Sequence, residues 1–147
     1  MDNISKMLAT FFYVGYLPAA PGSIATIFGG IIGFALMKYP AVYIAVTILI
    51  TIVGFAVSGR AEKAIGKKDP GCIVIDEVAG VMIALFMLPP TMAIFWTVFF
   101  VFRAFDMFKI YPGNKFEALG GSRGIMMDDI MAGLYTNVVM HLALRFV

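Results

Sequence analysis

Gly120-Gly121-Ser122-Arg123-Gly124-Ile125-Met126-Met127-Asp128-Asp129-Ile130-Met131-Ala132-Gly133 sets two adjacent carboxylates at the mouth of an apolar run. Its last five residues read D-x-x-A-G. The same pattern stands earlier at Asp76-Glu77-Val78-Ala79-Gly80, and again leads into an apolar segment. A chain this apolar has little reason to place four acids there unless something cationic sits among them. The sequence is therefore read as apolar helices organised around one shared acidic site, with a metal as the simplest occupant.

Composition points to a membrane. Of 147 residues, 61% are hydrophobic and 14% charged, against roughly 25% charged in a soluble domain. Mean hydropathy is +0.94. A soluble fold of this length has too little interior to hide so much apolar surface. The length suits a single domain, 1–147. A net charge of +2 gives no electrostatic case for nucleic acid. The lone Cys72 excludes an internal disulfide and a cysteine metal cluster. The N-terminal apolar stretch is broken by Pro18 and Pro21 and resembles a signal peptide only weakly.

The predicted fold is all-α: a polytopic membrane helix bundle of about five spans, plus a short N-terminal interfacial helix within residues 4–17. Pro18 and Pro21 break the chain, and Ser23 is expected to cap a helix running to about Met37. That helix carries Gly29, Gly30 and Gly33, which allow close helix approach. Further spans are expected from Ala41 to Ser58, from Ile73 to Pro89-Pro90, from Thr91 to Phe105, and from Asp128 to the C-terminus. Two polar islands separate them, 60–69 and 103–123. The second contains an expected loop, Tyr111-Pro112-Gly113-Asn114.

Charge orients this topology. With the N-terminus inside, Lys6, Arg60, Lys63, Lys67, Lys68, Arg103, Lys109, Lys115 and Arg123 share one side. Only Lys38 and Arg145 lie on the other, so nine of 11 basic residues are cytoplasmic. Asp69, Asp76, Glu77, Asp106, Glu117, Asp128 and Asp129 fall on the same side.

Carboxylates from two segments suit a hard cation such as Mg²⁺, which binds through carboxylates, water and substrate phosphate. Asp106 is a further candidate ligand. The competing reading makes Asp76 and Asp128 N-caps whose neighbours favour the helix dipole. Two acid pairs in an acid-poor chain favour the metal. Arg103, Asp106 and Lys109, spaced i, i+3, i+6, share one broad helix side and offer either an end-of-helix ion pair or a phosphate grip. Arg123, in the glycine-rich stretch 120–124, is expected on a loop whose backbone N–H groups can approach an anion. No Ser/His/Asp triad is expected, since the single histidine, His141, lies near the end of the last helix and is read as an interfacial or packing residue.

Four blocks together resemble the phosphatidylglycerophosphatase A family: Gly15-Tyr16-Leu17-Pro18-Ala19-Ala20-Pro21-Gly22-Ser23; Asp69-Pro70 with Ile73 to Gly80; Phe102-Arg103-Ala104-Phe105-Asp106 with Lys109; and Gly120 to Gly133. They come in the family's order and span most of the chain. Two positions depart from its pattern: Ile110 stands where the family usually has proline, and Ala25-Thr26 where it has glycine and serine.

The resemblance implies a Mg²⁺-dependent helical membrane phosphatase of the bacterial cytoplasmic membrane. Such an enzyme converts phosphatidylglycerophosphate to phosphatidylglycerol, a step of phospholipid biosynthesis. On that reading Asp76, Glu77, Asp128 and Asp129 hold the metal, joined by Asp106. Asp129 or Glu77 orients the attacking water, with a carboxylate nucleophile as the variant mechanism. Arg103, Lys109 and Arg123 neutralise the phosphate, and Ser23 and Asp69 border the head group. The expected partners are the lipid substrate, the membrane and, as an open option, a second copy of the chain. The rival functions are a small ion or solute transporter subunit, which predicts acids spread through the bilayer depth, and a lipid phosphotransferase, which requires an acceptor alcohol.

Overall fold

The computed structural model describes residues 3–109 and 111–147, which leaves Ile110 outside. Among the described residues there are seven α-helices and no strand. They are α1 (Asn3–Ala9), α2 (Pro21–Leu36), α3 (Pro40–Ile65), α4 (Ile75–Leu85), α5 (Met92–Phe108), α6 (Gly113–Glu117) and α7 (Gly121–Leu144), with a 3-10 turn at Val14–Tyr16.

Local chemistry sets several helix ends. Proline opens both α2 and α3, where its fixed φ suits the first turn and its missing N–H costs nothing. Gly66, at φ +77°, closes α3 and donates its N–H to Glu62 O. Thr91 caps α5 by accepting the Ile94 N–H at 3.2 Å.

Some boundaries differ from the sequence expectation. Ser23 does not cap α2, because the helix starts two residues earlier at Pro21. The second expected span, Ala41 to Ser58, is embedded in a 26-residue helix. The Tyr111–Asn114 turn leads straight into short α6. The last helix begins at Gly121, two turns before Asp128. Its start is held by Glu62 Oε2, which accepts the Gly121 N–H at 2.7 Å, and by Ser122 Oγ, which accepts the Gly59 N–H at 2.6 Å. The third run, expected to reach Pro89-Pro90, is helical only over the 11 residues of α4. Phe86 turns extended and ends it.

Helices α2, α3, α4, α5 and α7 alternate in direction. At one end the start of α2 meets Glu77 and Arg103, the end of α3 meets the start of α7, and Lys109 after α5 meets Asp128. At the other end Gly33 of α2 lies against Tyr43 and Leu85. There Asn137 Nδ2 donates to Ala84 O at 3.0 Å and to Phe86 O at 2.8 Å.

Short α4 is the inner helix, with nine of its 11 residues buried. Sheathed by α2, α3, α5 and α7, it has almost no face left for solvent or lipid. Its crossing with α7 is made by the glycines of the two D-x-x-A-G segments. A Cβ on Gly133 would collide with Gly80 O, and one on Gly80 would lie 2.8 Å from Asp129 O and from the Phe102 ring. Only glycine permits that approach. Each acid sits one turn before its glycine, so the crossing brings the acids together as well.

The outer surface is apolar. Ile48, Leu49 and Ile52 on α3, Phe100 on α5, and Val138 and Leu142 on α7 are all more than half exposed. Among the described residues, α3 alone is both long and apolar enough to cross a membrane, with a best-window hydropathy of 2.4.

Candidate active site

The first turn of α4 supplies Asp76 and Glu77, the last turn of α5 supplies Asp106, and the third turn of α7 supplies Asp128 and Asp129. One carboxylate oxygen from each of Asp76, Asp128 and Asp129 lies within 4.8 Å of the other two. The same holds for Glu77, Asp106 and Asp129. Asp129 belongs to both groups and is 1% exposed.

Two basic groups border the acids. The Arg103 guanidinium donates to Asp106 Oδ2 and lies 3.7 Å from Glu77. The Lys109 ammonium donates to Asp128 Oδ2 and lies 3.5 Å from Asp106 Oδ1. Burial works against the Lys109 charge, but the Asp128 hydrogen bond, with the charges of Asp128, Asp106 and Asp129, outweighs it. The ammonium is thereby held above its ordinary pKa and stays protonated through the neutral range.

Five carboxylates thus face two cations, and like charges this close repel strongly away from water. Both Asp129 oxygens, Asp76 Oδ1, Asp128 Oδ1 and Glu77 Oε2 are buried without a hydrogen-bond partner. Buried carboxylate oxygens seldom stay unpartnered. A hard divalent cation fits this donor set, since it is all oxygen and carries excess negative charge. The fit is best at Asp76, Asp128 and Asp129, each with an orphaned oxygen. Asp106 differs, because both of its oxygens are engaged by Arg103 and Lys109.

A cavity of about 240 Å³ adjoins the acids. The Asp69-Pro70-Gly71 turn, Asp76, Glu77, Asp106 and Lys109 help to line it. Three non-glycine residues around this site take left-handed backbone angles: Ala20 and Asp69 at φ 45°, and Lys109 at φ 49°. Such angles are uncommon outside glycine and concentrate at functional sites. The start of α2 closes in as well, for a Cβ on Gly22 would lie 2.5 Å from Glu77 Oε1 and 3.5 Å from Arg103 Nη1.

The sequence candidates therefore divide. Asp76, Glu77, Asp106, Asp128, Asp129, Arg103 and Lys109 are brought together. Asp69 lines the adjoining cavity. Ser23 is half-buried in the first turn of α2, next to Gly22 at the Glu77–Arg103 contact. Arg123 is exposed and outside the ion-pair network of Arg103 and Lys109. It lies on the first turn of α7, because the expected glycine-rich loop is helical there. The anion at that helix start comes from the chain itself, in the form of Glu62. His141 lies at the opposite end, its Nε2 3.2 Å from Phe86 O.

Glu62 escaped the sequence reading. Its Oε1 accepts the Asp69 N–H at 2.8 Å and its Oε2 the Gly121 N–H. One side chain thus ties the end of α3 to the Asp69 turn and to α7. The available signal was a single acid among Arg60, Lys63, Lys67 and Lys68.

The family model described as phosphatidylglycerophosphatase A matches residues 7–144. A Bacteroides thetaiotaomicron protein, provisionally named a phosphatidylinositol-3-phosphatase, is 33% identical over 93% of this chain and 91% of its own. The Haemophilus influenzae phosphatidylglycerophosphatase A is 33% identical over 94% of this chain and 87% of its own. The Escherichia coli phosphatidylglycerophosphatase A is 32% identical over 96% and 84%. No solved structure gives a significant match.

Proposed function

Because the chain belongs to the phosphatidylglycerophosphatase A family, we propose that it hydrolyses phosphatidylglycerophosphate to phosphatidylglycerol and phosphate. The observation that carries this reading is the buried acid cluster with both oxygens of Asp129 unpartnered, set beside two fixed cations.

Asp76, Asp128 and Asp129 would hold Mg²⁺, with Glu77 and Asp106 completing the acid wall. When bound, the ion would polarise the phosphoryl oxygens and lower the pKa of a water. Arg103 and Lys109 face the phosphate as a planar fork and a point charge. Their bonds to Asp106 and Asp128 hold them in place before substrate arrives, so little reorganisation accompanies charge development. Glu77 borders the cavity with one free oxygen and orients the attacking water as base. The water oxygen bonds to phosphorus, the bond from phosphorus to the glycerol oxygen breaks, and a proton ends on the released alcohol. Asp69 and Ser23 border the head group.

The whole chain, 1–147, acts as one membrane-embedded domain. The five alternating helices form a bundle embedded in the bacterial cytoplasmic membrane, with α4 enclosed by the other four, α1 at the interface and the acid cluster facing the cytoplasm. The nine-to-two division of basic residues supports that orientation. Gathering of the acids at one end weighs against a transport path through the bilayer.

The name of the Bacteroides relative favours a second substrate, a phosphoinositide with the same phosphomonoester group. Phosphate release by the detergent-purified protein from phosphatidylglycerophosphate and from phosphatidylinositol 3-phosphate, with and without Mg²⁺, separates the two. Mg²⁺-dependent release from the first is expected. Release from the second alone would keep the chemistry and change the substrate. Release from neither, by folded protein, would overturn the reading.

A further inference from the structure

A second cavity, of about 300 Å³ and lined almost wholly by apolar side chains, lies between α2 and α5. Its α2 wall is Ile27, Ile31, Phe34 and Ala35. These residues follow Ser23 at i+4, i+8, i+11 and i+12, so Ser23 heads the same helix face. The α5 wall includes Met92 and Trp96. Arg103 follows them at i+11 and i+7, which puts the guanidinium on that face too. The two walls converge where Gly22 lies against Arg103 and Glu77.

We propose that this groove seats an acyl chain of the lipid substrate while its phosphate is held at Arg103. The inference rests on the lipid-phosphatase reading and names how the lipid is oriented. Three features favour one acyl chain of a lipid with an anionic head. The groove is apolar along its length. Beyond its lining, the two helix faces lead on to a cation, Arg103, beside the acid cluster. The distance from the site to the far end of the groove fits one leaflet: at ~1.5 Å per residue, Ser23 to Ala35 spans roughly 18 Å and Arg103 to Met92 about 17 Å, against about 15 Å for half a hydrocarbon core. Phe95 forms the floor, packed edge-to-face on Phe34 at 6.0 Å, and a Cβ on Gly30 would lie 2.8 Å from its ring. A chain lying there leaves the phosphate at the site with the ester linkage at the membrane interface.

Ile31→Trp and Ala35→Trp fill the groove without touching the acid cluster. Leu49→Trp, on the exposed outer face of α3, is the control. The probes are dihexanoyl and dipalmitoyl phosphatidylglycerophosphate in detergent. In the filled variants kcat/KM for the dipalmitoyl lipid should fall at least about tenfold, the scale on which apolar pockets discriminate. Turnover of the dihexanoyl lipid should change little, and Leu49→Trp should change neither. Equal losses on both lipids, or no loss on either, would overturn the groove.

A readout independent of turnover uses phosphatidic acid with a diazirine midway along one palmitoyl chain. Adducts should map to Ile31, Phe34 and Trp96, and unlabelled phosphatidic acid should compete while diacylglycerol does not. Adducts spread over the outer face of α3 without competition would also overturn it. If wild-type protein released no phosphate from either lipid yet showed competed adducts in the groove, the lipid-binding inference would stand and the proposed hydrolysis would fall.

Discussion

The two D-x-x-A-G segments share a pattern but not an environment. In α4 the acid opens a short helix. In α7 it lies two turns inside a long one, fixed there by contacts with α3. The companion acids differ too: Glu77 follows Asp76, whereas Asp128 precedes Asp129. Glu77 therefore turns toward Arg103 and Asp128 toward Lys109, while Asp129 is left in the middle as a member of both triads. A sequence echo thus yields an asymmetric site, in which Asp129 is shared by both triads and the companion acids Glu77 and Asp128 face different cations.

That asymmetry ranks the variants. Asp129→Asn should cause the largest loss. It removes a donor from both triads, so turnover should fall by more than the roughly 10–100-fold typical of an outer-shell metal partner. Mn²⁺ binding, read by electron paramagnetic resonance, should weaken in parallel while helical content is kept. Near-normal activity in a folded Asp129→Asn protein would falsify its central place. Asp76→Asn removes a donor from one triad only. Its loss should be smaller, and raised Mg²⁺ should restore part of it. If Asp76→Asn proved as severe as Asp129→Asn and resisted added metal, the two segments would be equivalent and the asymmetry lost.

The glycines of the echo are a weaker handle, acting through packing. Gly80→Ala drives a methyl against Asp129 O and the Phe102 ring, and should cost about 1–3 kcal/mol, as overpacking commonly does. Gly71→Ala has nothing within 4 Å of the added carbon and should be neutral. Thermal unfolding in detergent compares them. An equal effect in both, or none in Gly80→Ala, would mean that the glycine crossing does not hold the acids together.

Much of this was legible in the sequence because it depends on local pattern. The five acids, the two basic residues of α5 and its C-cap, and the all-helical class each rest on residue type and spacing. What escaped was decided by partners distant in the chain. Nothing local says that α4 stops at Leu85. It begins where the Val74 N–H donates to Ala9 O, and it runs inside a ring of helices that spares it the length a lipid-facing span needs. The stretch 120–124 reads as a loop because glycine, serine and a charge cluster there. It is helical because α3 supplies a carboxylate and a close backbone approach, both some sixty residues away in sequence.

Glu62 gives the mildest test of the same contrast, since it supports α7 and has no counterpart at α4. Glu62→Gln keeps one carbonyl oxygen and can accept from the Asp69 N–H or the Gly121 N–H, but not from both as the carboxylate does. Losing one such bond is worth about 0.5–1.5 kcal/mol. The cost should appear locally, as faster hydrogen exchange at Asp69 and Gly121, with turnover reduced by less than about tenfold, the bottom of the outer-shell range. Metal affinity should move less than in Asp76→Asn, because Glu62 touches no carboxylate of the cluster. If exchange rose while turnover held, the latch would serve the fold alone. If turnover fell with exchange unchanged, Glu62 would reach the site by a route other than these two hydrogen bonds, and the long helix would owe its position to the glycine crossing.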